Sequence, residues 1–273
     1  MSNIGKISYI EGMEPTASDL VLDLLSTHDA RELSIAALCR AGEACGLRPQ
    51  NVRVAVNRLL RHGKITSPAR GIYALNPQGN SLIEDVRNWL RKEQQAVAWD
   101  GGWIGVIDAA VPRREKVAWR RHERALALRG FRALANSGLW LRPDNLIGGV
   151  ATVREDLKRL GLAPAARVFG VSALSGQDET LIRAQWDTRA MTSAYETIGQ
   201  RLRTSEATLD TLPLAQAARD SLLLGRAAIR LIIHDPLLPE ALMGGDARHR
   251  LIDQVRAYQV RAKALWARFL EDG

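Results

Sequence analysis

Val52, Val56, Leu59 and Leu60 recur at the spacing of one helical face, while Gln50, Arg53, Asn57 and Arg61 fall on the opposite side. The pattern predicts a helix from Pro49 to about His62. Pro49 suits a first helical turn, where a missing N–H is not needed, and Gly63 suits the left-handed residue that ends a helix. Two helices are predicted before it. Thr16 with Asp19 forms a capping-box pattern ahead of the apolar Leu20, Val21, Leu24 and Leu25. Ser34 caps a second helix that turns Ile35, Leu38 and Cys39 inward and ends at Gly46. After Gly63, Lys64 to Ser67 and Gly71 to Leu75 read as two short strands around Pro68-Ala69-Arg70, a hairpin with Arg70 at its tip.

Helix, helix, turn, basic helix and hairpin is the order of a winged helix-turn-helix. Charge sharpens that reading. Between Ala44 and Ile83 there are six Arg or Lys residues and no acid, where a merely solvated helix would mix both signs. Arg pairs bidentately with guanine O6 and N7, and Gln or Asn with adenine N6 and N7. The candidate DNA-binding residues are therefore Gln50, Asn51, Arg53, Asn57, Arg58 and Arg61, with Lys64 and Arg70 from the hairpin.

Downstream, Asn76-Pro77-Gln78-Gly79 ends the first segment, and Ser81 with Glu84 opens a connecting helix running through Leu90 toward Glu93. A second unit begins near Ala98. Its expected elements are a strand Trp103 to Ile107 ending at Asp108, a helix Arg113 to Arg129, and strands Phe131 to Leu134 and Leu139 to Leu141. A helix Thr152 to Leu160 and a strand Arg167 to Ala173 complete it. That order fits a ferredoxin-like unit. Beyond Glu179 the pattern is helical over Leu181 to Arg203, Leu214 to Ile233 and Asp246 to Leu270, with His234-Asp235-Pro236 as a break. The expectation is a multi-domain α+β protein: an N-terminal winged helix-turn-helix (1–79), a connecting helix (80–97), a ferredoxin-like middle domain (98–178) and a C-terminal helical domain (179–273).

The chain's 273 residues suit two or three units, and a net charge of +8 favours a polyanionic partner. Cys39 and Cys45 lack the further ligands of a zinc set and read as buried thiols. No secretory leader or apolar span is apparent, so a cytoplasmic location is expected. Gly101, Gly102 and Gly105 do not link strand to helix and so miss the dinucleotide fingerprint; phosphate-loop and nucleophile-elbow motifs are absent as well. Neither a catalytic residue nor a cofactor or metal is expected, and the five histidines show no ligand spacing.

Other chemistry gathers after Pro112. Arg113, Arg114, Lys116, Arg120, Arg121, Arg124 and Arg129 face only Glu115 and Glu123, a balance suited to the phosphates of an anionic effector or a second stretch of DNA backbone. Trp103 and Trp140, on neighbouring predicted strands, are candidates for an aromatic wall. The candidate effector residues are thus Trp103, Arg113, Arg120, Arg121, Arg124 and Trp140. Asp108 at its strand end suits a cap or turn better than a metal, since no second acidic ligand lies nearby.

The whole order resembles the PaaX family of bacterial repressors of phenylacetic acid catabolism. The resemblance rests on Val52-Arg53-Val54-Ala55-Val56-Asn57-Arg58-Leu59, Leu75-Asn76-Pro77-Gln78-Gly79, Trp99-Asp100-Gly101-Gly102-Trp103, Gly130-Phe131 with Ser137-Gly138-Leu139-Trp140-Leu141-Arg142-Pro143, and Ile233-His234-Asp235-Pro236-Leu237-Leu238-Pro239-Glu240-Ala241-Leu242. It implies a homodimeric repressor that binds a palindromic double-stranded operator and is released by an acyl-CoA thioester such as phenylacetyl-CoA. The middle unit is also similar to the small ferredoxin-like nuclease subunit of CRISPR adaptation complexes, which gives a rival reading of a metal-dependent nuclease using Asp108. An architectural DNA-binding protein without an effector is the third.

Overall fold

The computed structural model describes residues 15–27, 32–76, 91–135 and 137–271. The chain is a mixed α+β protein that divides into two compact units. One gathers Met1–Trp89, Ala194–Leu231 and His249–Gly273, and the other gathers Leu90–Ser193 and Ile232–Arg248.

In the first unit, helix α1 (Ala17–Thr27) opens with the expected reciprocal cap. The Asp19 amide donates to Thr16 Oγ1 and the Thr16 amide to Asp19 Oδ2, both at 3.2 Å. Helix α2 (Ile35–Ala44) is capped by Ser34, whose Oγ accepts from the Ala37 amide at 3.1 Å. Helix α3 (Pro49–Arg61) begins on Pro49 and gives way to Gly63 at φ 62°. Strands β2 (Ile65–Ala69) and β3 (Ile72–Leu75) form the hairpin, turning at Gly71 with φ 75°. Their register shifts between Thr66 and Ala69, where Pro68 has no N–H to give the ladder. A strand absent from the sequence reading, β1 (Glu32–Ser34), pairs with β3 and makes the sheet order β1-β3-β2. Three residues are too few to show a period of two.

Leu20, Leu24, Leu38, Val52, Val56 and Leu59 form the core of this unit, and Ala218, Leu222 and Trp266 complete it. These last come from the helices Leu214–Ile233 (α8) and Asp246–Glu271 (α9). Arg226 of α8 binds α1 through Asp19 at 3.3 Å and Asp23 at 3.2 Å. Burial pushes the Asp23 carboxyl up to about 7, reinforced by Asp19 and opposed by Arg226. The native state therefore holds a proton there that the unfolded chain, with its ordinary value near 3.8, has already lost. Stability through this group is greatest below that ordinary value and falls as pH rises toward 7. Asp23→Asn should remove this slope: in urea unfolding at pH 5 and pH 7.5, the variant should gain on the parent at the higher pH. An equal difference at both pH values would refute the assignment.

In the second unit, β4 (Trp103–Ile107), α4 (Lys116–Leu128), β5 (Arg132–Leu134), β6 (Leu139–Pro143), α5 (Gly149–Leu160) and β7 (Arg167–Val171) follow in order. The sheet is antiparallel, ordered β5-β6-β4-β7. Ile104, Val106, Leu126, Phe131, Trp140, Val153 and Leu157 form its core. The expected helix Leu181 to Arg203 is two helices, α6 (Gly176–Arg183) in this unit and α7 (Thr188–Thr208), which from Ala194 onward belongs to the first unit. Between them, buried Trp186 stacks on Trp103 at 5.9 Å, and Asp187 Oδ1 accepts from the Ala190 amide at 2.9 Å to start the second helix. Most of the expected connecting helix lies outside the described residues, and Glu93–Gln95 is a 3-10 turn.

The Asp-Pro break is anchored in this unit. Asp235 Oδ1 accepts from the Leu237 amide at 2.6 Å, and Leu237 takes φ 55°, a conformation rare for a leucine. Asn145 Nδ2 donates to the Leu237 carbonyl at 2.7 Å, and Lys92 Nζ donates to the carbonyls of Ile232, Ile233 and Asp235. A Cβ on Gly130, at φ 76°, would stand 2.6 Å from the Pro236 Cβ, so only glycine admits this approach.

Candidate nucleic-acid interface

Helix α3 divides into two chemistries. Val52, Ala55, Val56 and Leu59 are buried, while Gln50, Asn51, Arg53, Val54, Asn57, Arg58 and Arg61 are exposed. Gln50, Asn51, Arg53, Asn57 and Arg61 make no side-chain hydrogen bond or ion pair among the described residues. Arg58 differs, since its Nη2 donates to Ser18 Oγ of α1 at 2.5 Å. Val54 was not among the expected contacts. It is 60 % exposed in the middle of the polar row, and an apolar group there suits the methyl of a thymine. A buried-stripe pattern cannot flag it, because such patterns treat outward positions alike.

The hairpin is pinned to the end of α3. The Lys64 amide donates to the Leu59 carbonyl at 2.9 Å, the Asn76 amide to the Lys64 carbonyl at 3.0 Å, and Asn76 Nδ2 to the Gly63 carbonyl at 2.8 Å. Lys64 is half-buried at the hairpin's base and Arg70 is exposed at its tip. A second constraint sits beneath α3: a Cβ on Gly42 of α2 would stand 2.6 Å from Val52 Cγ2. Cys39 and Cys45 are buried free thiols, and burial pushes Cys45 up to about 11.

Of the candidate effector residues, the arginines share one helix and its approach, but Trp103 and Trp140 are not brought together. Trp140 lies opposite Val106, while Trp103 lies opposite Pro143, three positions away along β4. Side chains alternate along a strand, so the two indoles are on opposite faces and share no wall. Both are nearly fully buried. Trp140 Nε1 donates to Asp108 Oδ2 at 2.7 Å. Trp103 instead belongs to an aromatic group with Trp99 at 5.3 Å and Trp186, where Arg183 covers the Trp99 ring. Arg113, Arg120, Arg121 and Arg124 are exposed on or before α4.

Asp108 is 1 % exposed, and its Oδ2 also faces His122 Nε2 at 3.4 Å. His122 Nδ1 accepts from the Ala163 amide at 3.2 Å, so the ring proton sits on Nε2 and points at Asp108. The carboxylate thus ties the end of β4 to α4 and β6. Among the described residues no three His, Cys, Asp or Glu side chains are grouped to hold a metal ion, and no helix is long and apolar enough to cross a membrane.

No family model matches the chain, and no curated protein matches it. Its fold is similar to that of the uncharacterized protein Rv0674 from Mycobacterium tuberculosis, with a TM-score of 0.54 and 23 % identity over 92 % of this chain and 98 % of that one.

Proposed function

We propose that this chain is a DNA-binding transcriptional regulator whose first unit carries an N-terminal winged helix-turn-helix, with α3 as the major-groove helix and the β2–β3 hairpin as the wing. The second unit is read as a ferredoxin-like domain, and the last helices, α8 and α9, as a helical part of the first unit that completes the core behind α1 to α3 instead of a separate C-terminal domain. One observation carries the reading: α3 presents Gln50, Asn51, Arg53, Asn57 and Arg61 without a side-chain hydrogen bond or ion pair among the described residues, on a face free of acids. Donors left unbonded on a helix fixed from behind suit base edges. The resemblance to the PaaX family extends the proposal to repression of an aromatic acid catabolic operon, with release by an acyl-CoA thioester. An effector would need a pocket other than one walled jointly by Trp103 and Trp140. The nuclease reading loses ground because Asp108 is enclosed and engaged by Trp140 and His122.

The test is selection of bound duplexes from a random-sequence pool. Arg53→Ala should relax one base position and cost ~1 to 3 kcal/mol there. Arg70→Ala should weaken all sequences alike and lower the salt slope by about one unit. Failure of the parent to enrich any sequence would end the proposal.

A homodimer is part of the same reading, since one recognition helix contacts too few base pairs to specify an operator. Two half-sites about one helical turn apart, ~34 Å, or a multiple of it, are expected. Analytical ultracentrifugation should give a dimer on the selected duplex, and a monomer both free and bound would exclude it.

A further inference from the structure

Cations outnumber acids on and just before α4, where Glu115 and Glu123 are the two acids of the segment. Lys116, Arg120 and Arg124 follow one another at one-turn intervals, with Arg121 alongside and Arg113 and Arg114 just before the helix; all six are exposed. None makes an ion pair among the described residues, and Arg113 rests over the Trp119 ring at 4.8 Å. Several other cations of the same unit are matched, Lys158 with Glu155, Arg159 with Asp156, Arg183 with Glu179 and Arg129 with Asp156. The exposed ones without an ion pair among the described residues, Arg91, Arg167 and Arg189, stand apart from one another in the sequence instead of in a row. Like charges four residues apart cost a helix ~0.2 to 0.5 kcal/mol per pair, so the row stands against local stability.

The inner face of the helix holds that row in place. His122 is fully buried between Asp108 and the Ala163 amide, and Leu126 is fully buried in the core. The stem of Arg121 lies over Gly161, at φ 106°, in space that any Cβ there would occupy. The cations are therefore displayed from a rigid element, which favours fixed contacts.

We propose that this face binds the phosphate backbone of duplex DNA without reading its sequence, as a second contact surface in addition to α3 and the wing. The proposal rests on the DNA-binding reading of the chain. A small anion such as a nucleotide-bearing thioester needs a concave, enclosing site, whereas every one of these six residues is open to solvent. The ~12 Å of helix from Lys116 to Arg124 is also a linear array. A duplex strand offers a phosphate every ~3.4 Å of its axis, so the array passes about three of them.

The experiment uses the full-length chain and a duplex enriched by the parent from a random-sequence pool. Affinity is measured against salt for the parent, for Arg53→Ala, and for a variant combining Lys116→Gln, Arg120→Gln and Arg124→Gln, with circular dichroism checking that each is folded. The triple variant should lower the slope of log K against log salt by about 2 to 3 units on selected and unrelated duplexes alike, about 0.9 per phosphate lost. Its preferred sequence should stay that of the parent, whereas Arg53→Ala should change the preference. If the triple variant keeps the parental slope while Arg53→Ala still alters selectivity, the α4 surface is overturned and the α3 reading survives. A parental slope together with lost binding of coenzyme A in calorimetry also overturns it, in favour of a small polyphosphate. If the parent itself enriches no duplex, the DNA reading fails and this inference falls with it.

Discussion

Arg142→Ala should destabilise the second unit by about 3 to 5 kcal/mol, because several buried acceptors lose a charged donor together and a cavity is left in their midst. Arg142 is 2 % exposed on β6. Its Nε donates to the Pro143 carbonyl at 3.0 Å and its Nη1 to the Arg129 carbonyl at 2.5 Å. Its Nη2 reaches Asn145 Oδ1 at 3.1 Å and the Pro236 carbonyl at 3.5 Å. Burial, with Arg129 nearby and Asp144 opposing, lowers the guanidinium to about 10, so it stays charged at neutral pH. Alanine would leave three carbonyls and an amide oxygen without this donor, and each buried acceptor left alone costs ~1 to 3 kcal/mol. Arg142→Lys keeps the charge but not the fork and should recover only part of the loss. Hydrogen exchange should show faster amides in β5 and β6 with those of α1 to α3 unchanged. A loss below 1 kcal/mol in urea unfolding would mean the network relaxes around the gap.

That network also marks where sequence reading stops. The α1 and α2 caps and both ends of α3 depend on residues three or four apart, and Thr16, Asp19, Ser34, Pro49 and Gly63 announced them. The order and approximate extents of β4, β5, β6 and β7 were legible for the same reason. Arg142 was not, because its partners at Arg129, Asn145 and Pro236 come from separate stretches and no period links them. The seating of Ala218, Leu222 and Trp266 against α1 to α3 is equally non-local. Trp103 and Trp140 show the limit set by register: the pattern places them on neighbouring strands, but which residues stand opposite one another is not in it, and that alone decides the face. On α3 the exposed polar row was legible from charge and spacing. Val54 was invisible because its exposure is informative only once the helix is placed.

Gly42→Ala should reduce stability and, on the proposed DNA-binding reading, DNA affinity, because α3 is positioned through this residue. Gly42 lies inside α2, where alanine would ordinarily favour the helix by ~0.8 to 1 kcal/mol. Here the new methyl would meet Val52 Cγ2 at 2.6 Å, with the Leu47 carbonyl 3.8 Å away on the same side. Val52 is fully buried and β-branched, so its side chain has few rotamers to escape into. The strain must pass to the α3 backbone, at the ~1 to 3 kcal/mol typical of an overpacked core. The propensity gain offsets only part of that. A shift of α3 relative to α2 displaces Gln50, Arg53 and Asn57 together, so affinity for a selected duplex should fall tenfold or more, while the salt slope, set by phosphate contacts, should change less. Removing the opposing methyls tests the cause: Val52→Ala should restore DNA affinity to Gly42→Ala even though Val52→Ala alone is destabilising. If the double variant binds no better than Gly42→Ala, contact with Val52 is not what sets the position of α3.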